Sequence, residues 1–87
     1  MNNTDVITPS CNFKLRLNGT AVRVIREFQG VKAAELAKRI SVTPGYLSRL
    51  EQGTRQTGVE NIAKIANALG IPREAISYPD FVQSVAA

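Results

Sequence analysis

Apolar residues recur at helical spacing in four stretches of this chain and alternate with basic ones in a fifth. Ala21, Val24, Ile25 and Phe28 form one stripe. It predicts a core-facing helix from Thr20 or Ala21 to Gln29, with Thr20 as cap and Gly30 as stop. Leu36, Ala37 and Ile40 give a second helix, Ala33 to Ile40, one apolar face. Leu47 and Leu50, three residues apart, do the same for a third, Pro44 to Gln52. Ile62, Ile65, Ala66 and Leu69 stand at i, i+3, i+4 and i+7, the strongest stripe in the chain. Phe13-Lys14-Leu15-Arg16-Leu17 alternates instead and then meets Asn18-Gly19, a short strand followed by a turn signal. A lone strand needs a partner. It is expected to pair with its copy in a dimer or to lie across the helices, with Phe13 and Leu17 packed on the core. A basic arm touching DNA is the other reading, with Lys14 and Arg16 tracking phosphate.

The residues between the stripes set the boundaries. Ser41-Val42-Thr43-Pro44 separates the second and third helices. Thr43 suits the N-cap, where its hydroxyl accepts from a free backbone N–H. Pro44 suits the first helical position, where its missing N–H costs nothing. Gly53 is placed to end the helix in a left-handed conformation. Two short helices joined by a tight turn make a helix-turn-helix. Thr57-Gly58-Val59-Glu60 fits a capping box for the fourth helix. Gly70 stops that helix, and Pro72 opens a short fifth one ending at Ile76, broken by Tyr78-Pro79. Phe81, Val82 and Val85 could form a last helical patch for a partner or a twin subunit. Residues 1–12, rich in Asn and Thr, are expected to be loosely attached.

With Leu47 and Leu50 turned inward, the outside of the third helix falls to Pro44, Gly45, Tyr46, Ser48, Arg49 and Gln52. A small N-terminal end with a Tyr and an Arg suits entry into the DNA major groove. Arg matches the paired acceptors on a guanine edge. Arg49 is expected to contact a base, with phosphate or solvent as the alternative. Tyr46 either meets DNA, at a thymine methyl or a phosphate, or packs on the second helix. Arg55, in the loop beyond, is expected to bind phosphate. Lys38 and Arg39 are expected on a solvated face, with weak attraction to DNA second.

Composition adds little that contradicts this. At 87 residues there is room for one small domain and a tail, burying only about 60% of its unfolded surface. The net charge of +4 and pI near 9.7 suit a polyanion partner. Position is better support, because Lys32, Lys38, Arg39, Arg49 and Arg55 all fall in or beside the two-helix unit. The absence of histidine excludes His-based general base catalysis and His-containing zinc sites. Cys11 is the only cysteine, so no intrachain disulfide or thiolate cluster can form, and a reducing cytoplasm is expected. The start, MNNTDVITPS, lacks the pattern of a secretory signal, and no apolar stretch approaches a membrane span.

The ordered combination resembles the lambda repressor and Cro-like helix-turn-helix domains, the Xre family. The resemblance covers Gly19 to Pro72. It rests on Arg26 before Gly30, Glu35-Leu36-Ala37, Val42, Tyr46-Leu47-Ser48-Arg49-Leu50-Glu51-Gln52-Gly53 and Ile65-Ala66-Asn67-Ala68-Leu69-Gly70-Ile71. It implies five helices, with Ala33 to Ile40 supporting and Pro44 to Gln52 as recognition helix. By matching position, Pro44, Gly45 and Arg49 are base-facing, with Tyr46 beside them. Gln52 and Thr54, with the region of Lys32 and Ala33, match phosphate-binding positions; Arg55, from its place in the loop, and Thr43 are counted with that set. Arg26 and Glu51 match a family ion pair tying the first helix to the end of the third. The chain departs from the family at three places. Lys32 and Ala33 replace a frequent hydroxyl and Gln, shifting phosphate contact toward charge. Ser41 stands where Gly is usual, so its backbone must adopt a less favourable conformation or a different turn. Pro44 and Gly45 replace longer polar side chains, leaving Arg49 and Tyr46 to discriminate.

The expectation is therefore an all-α bundle of about five short helices. Residues 1–18 form a flexible or β-like arm, 19–77 the DNA-binding domain, and 78–87 a tail for dimer or partner contact. The expected function is that of a non-enzymatic, sequence-specific regulator of transcription. It would be a phage or bacterial repressor that occludes a palindromic operator as a homodimer in the cytoplasm. No cofactor, metal, membrane or small-molecule ligand is expected. Two alternatives stay open: the antitoxin of a toxin–antitoxin pair, binding its toxin through Tyr78 to Ala87, and a protein-interaction module that has lost DNA binding.

Overall fold

The structure, a computed structural model, describes residues 13–81. Strand β1 (Phe13–Leu17) leads into α1 (Gly19–Phe28), α2 (Ala33–Arg39), α3 (Pro44–Gln52) and α4 (Val59–Leu69). A single 3-10 turn (Arg73–Ala75) and strand β2 (Ser77–Phe81) follow. The all-α bundle is thus present as four α-helices among the described residues, with the fifth helix reduced to the 3-10 turn. Two strands close the ends of the domain against each other.

The core gathers Leu36, Ala37 and Ile40 of α2, Leu47 and Leu50 of α3, and Ile62, Ile65, Ala66 and Leu69 of α4. These are the stripes the sequence announces. Leu17, Val22 and Ile76 complete it. The first helix differs from expectation. Val24 and Phe28 are 54% and 92% exposed, and the buried side of α1 carries Gly19, Val22 and Arg26. Ala21 and Ile25 sit at the margin. The apolar stripe misleads because a buried arginine occupies the core-facing position.

Helix ends also correct the sequence reading in two places. Asn18, expected in a turn, caps α1: its side-chain oxygen accepts from the Ala21 N–H at 3.1 Å, and Thr20 lies inside the helix. The predicted capping box of the fourth helix does not form. Gly58 is the N-cap of α4, without a side-chain bond, and the Thr57 hydroxyl turns to Tyr46 and Asn61 instead. Gly53 and Gly70 end α3 and α4 with φ of 82° and 68°, as the left-handed caps require.

Strand β1 pairs antiparallel with β2 of the same chain, Leu17 opposite Ser77 and Leu15 opposite Pro79. This replaces both pairing with a twin copy and the last helical patch at Phe81. Val82, Val85, Cys11 and residues 1–12 lie outside the described residues, as do the side chains of Phe13 and Phe81. The Asn18 N–H donates to the Ile76 carbonyl at 2.8 Å. By the antiparallel alternation, Leu17 and Leu15 then point their N–H and C=O groups away from β2. Pro79 has the same phase, so its missing N–H removes no ladder bond. The outward groups of Leu17 are met by a side chain. Gln56 accepts from the Leu17 N–H at 2.9 Å and donates to its C=O at 3.1 Å. One glutamine amide thereby takes the place of a third strand at that position.

Candidate nucleic-acid interface

Helix α3 starts where its side chains say it should. The Thr43 hydroxyl accepts from the Tyr46 N–H at 3.1 Å, and Pro44 occupies the first turn. Ser41 takes φ of 60°, the left-handed conformation a glycine would adopt freely. That turns the chain from α2 into α3. Leu47 and Leu50 are buried, so Pro44, Gly45, Ser48, Arg49 and Gln52 are carried on the exposed side. Arg49 has no ion-pair partner among the described residues. Gln52 donates to the Ser48 hydroxyl at 3.3 Å, and the Thr54 hydroxyl donates to the Arg49 carbonyl at 3.3 Å.

Tyr46 is placed differently from its neighbours. It is half-buried, and its hydroxyl donates to Thr57 at 3.0 Å. The Arg55 guanidinium carbon stands 5.3 Å from the centre of its ring, within cation–π range. Tyr46 is thus packed against the core, and its hydroxyl and ring find their partners in the loop after α3.

Lys32 is exposed and precedes α2 as an N-cap with no side-chain bond, and Ala33 is half-buried as the first residue of that helix. Arg39 is exposed but engaged. It donates to the Ala68 carbonyl at 3.1 Å and to Glu35 at 2.9 Å, joining α2 to the end of α4. Arg16 leans toward Asp80 of β2 at 3.5 Å, an exposed pair of small energetic weight.

Behind the exposed helix lies an ion pair. Arg26 and Glu51 are 7% and 8% exposed. The Arg26 Nε donates to Glu51 Oε2 at 2.8 Å and Nη2 to Oε1 at 3.0 Å. Its Nη1 donates to the Val31 carbonyl at 2.9 Å. Both carboxylate oxygens and all three guanidinium nitrogens are used, which is the condition for burying such a pair. The hydrogen bond to Glu51 is the largest influence holding the Arg26 guanidinium pKa above its ordinary value. Burial opposes this, and the Glu51 and Glu27 charges reinforce it. The pair locks α1 to the last turn of α3 and sets that helix's angle on the body.

Sequence reasoning gave Asn18 and Thr57 other roles and missed Gln56 and Gln29, whose amide donates to the Leu69 carbonyl at 2.9 Å. Asn18 carried a signal, since Asn is a preferred N-cap. Gln56 and Gln29 carried none, because their partners are far along the chain.

The geometry is that of a helix presented by a helix-turn-helix scaffold, and similarity to known proteins agrees with it. The helix-turn-helix family model matches residues 22–76, and the chain belongs to that family, in its lambda repressor-like, Xre-type branch. This is a family of transcriptional regulators, not of enzymes. An uncharacterized HTH-type transcriptional regulator of Mycobacterium bovis is 37% identical over 54 residues, 62% of this chain. The match spans only 21% of that relative's length. Among solved structures, the clp gene regulator ClgR from C. glutamicum is 41% identical with a TM-score of 0.62, covering 64% of this chain and 73% of that one. The restriction-modification controller protein C.AhdI from Aeromonas hydrophila is 30% identical with a TM-score of 0.63, covering 66% and 86%. Among the described residues no helix is long and apolar enough to cross a membrane.

Proposed function

We propose that the chain binds double-stranded DNA in a sequence-specific manner and represses transcription, as a phage or bacterial regulator that occludes its operator. The observation that carries this is the outer side of α3. Pro44, Gly45, Ser48, Arg49 and Gln52 are exposed on a helix capped at its start and held at its end by the Arg26–Glu51 pair. In this reading the small Pro44-Gly45 end lets the backbone approach the bases closely. Arg49 reads a guanine edge, where a bidentate contact is worth about 1–3 kcal/mol of discrimination. Lys32, Ala33, Thr43, Gln52, Thr54 and Arg55 surround the helix as the phosphate-contacting set. Two copies on a palindrome, with half-sites about 34–36 Å apart, would multiply the few base pairs that one α3 can reach.

The test is selection of bound duplexes from a random pool at near-physiological salt, with Arg49→Ala in parallel. An inverted repeat that loses one G·C preference in the variant supports a dimeric reader with Arg49 at a base. Recovery of no motif, with binding that vanishes as salt rises, leaves only phosphate attraction and overturns the proposal.

A further inference from the structure

We infer that Tyr46 is a positioning residue: it holds Arg55 and the loop after α3 in a fixed place for phosphate contact and does not itself read bases. The inference rests on the DNA-binding reading above and assigns a mechanism to one part of that surface. Three observations carry it. The Tyr46 hydroxyl is already committed to Thr57 at 3.0 Å, and the Thr57 hydroxyl also accepts from the Asn61 side-chain amide at 2.8 Å. The ring lies under the Arg55 guanidinium at 5.3 Å. The residue between Arg55 and Thr57, Gln56, is stitched to both backbone groups of Leu17.

The loop from Gly53 to Gly58 contains no regular structure, yet it is held to three separate elements. Thr57 ties it to α3 and α4, and Gln56 ties it to β1. Arg55 is exposed, so its charge remains open to a ligand while its planar group rests on an aromatic face. A side chain oriented before the ligand arrives loses less freedom on binding than one that must be ordered by it. A guanidinium keeps its donors at its edge, so stacking on a ring leaves them free for a phosphate. A base-reading Tyr46 would need its hydroxyl or ring edge turned outward, and both Thr57 and Arg55 stand against that.

The test combines a spectrum of the free protein with a double-mutant cycle on a duplex it binds. In the free protein, the Arg55 side-chain protons should resonate upfield from the ring current of Tyr46. That shift should persist in Tyr46→Phe and vanish in Tyr46→Leu. On DNA, Arg55→Ala should lower the slope of log affinity against log salt by about 0.9, the loss of one phosphate contact. Tyr46→Leu should weaken binding with base preference unchanged, and should add nothing on top of Arg55→Ala. Gln56→Ala, which spares the α3 packing altogether, should behave as Tyr46→Leu does and keeps the test open if Tyr46→Leu does not fold. Additive losses, or a changed base preference in Tyr46→Leu, overturn the inference and leave the DNA-binding reading standing. A wild-type protein that binds no duplex sinks the functional reading and this inference with it.

Discussion

Gly19 is packed directly on the main chain of Leu50. A Cβ at this position would overlap the Leu50 carbonyl oxygen and come within 2.9 Å of the Glu51 Cα. The first turn of α1 therefore lies against the last turn of α3, backbone to backbone, next to the Arg26–Glu51 pair. The glycine stands there for closeness and not for a turn.

Gly19→Ala is expected to force α1 and α3 apart. Overpacking of this kind costs about 1–3 kcal/mol, because the obstacle is backbone and cannot rotate away. For a domain of this size each kcal/mol lowers Tm by about 4–8 °C. A thermal melt of the variant checks it, and an unchanged Tm would mean that the two helices slide freely.

Breaking the buried pair from either side should be severe. Arg26→Met or Glu51→Leu alone leaves a charge without its partner, at a cost of about 3–5 kcal/mol. The double variant should recover much of the loss, since two apolar side chains can fill the same space without desolvating an ion. Urea denaturation of the three variants gives the coupling. The pH dependence follows from the raised Arg26 pKa. A cation favoured in the folded state contributes fully below its unfolded pKa and fades only as pH rises through the folded one. The Arg26 contribution should hold across neutral pH and be lost in strong alkali.

Ser41 holds a left-handed conformation with φ of 60°. For a residue with a Cβ this costs about 1–2 kcal/mol, and a glycine's greater freedom in the unfolded chain returns part of it. Ser41→Gly is expected to raise the urea midpoint modestly, with no change in the slope. A lower midpoint would show that the Ser41 side chain contributes something the backbone argument omits.

The two sides of α1 should respond oppositely to truncation. Val22 is fully buried, and Val22→Ala should cost about 2 kcal/mol from lost transfer energy and residual cavity. Val24→Ala and Phe28→Ala remove exposed groups and should stay within about 0.5 kcal/mol. Equal losses in all three would mean that the apolar stripe, and not the side carrying Arg26, faces the core.

Much of the helix-turn-helix is legible in the amino-acid sequence alone. Thr43, Pro44 and Gly53 act on backbone groups within a few residues of themselves, so their roles can be read locally. The stripes of α2, α3 and α4 are unambiguous because their core-facing positions are all apolar apart from Glu51. Helix α1 is harder to read because Arg26 fills a buried position and Val24 and Phe28 offer a rival stripe in its place.

What the sequence determined by itself was the order of β1 and the four α-helices, the caps of α3 and the core faces of three helices. All of these follow from interactions between near neighbours in the chain. Only the tertiary structure decided that β1 finds β2, that Gln56 closes the edge of β1, that Gly19 must be bare, and that Tyr46 turns to the loop. Each of these joins residues distant in sequence or depends on which of several equally plausible surfaces comes to lie opposite. Local periodicity carries no information about that choice, because burial is settled by the whole set of elements at once.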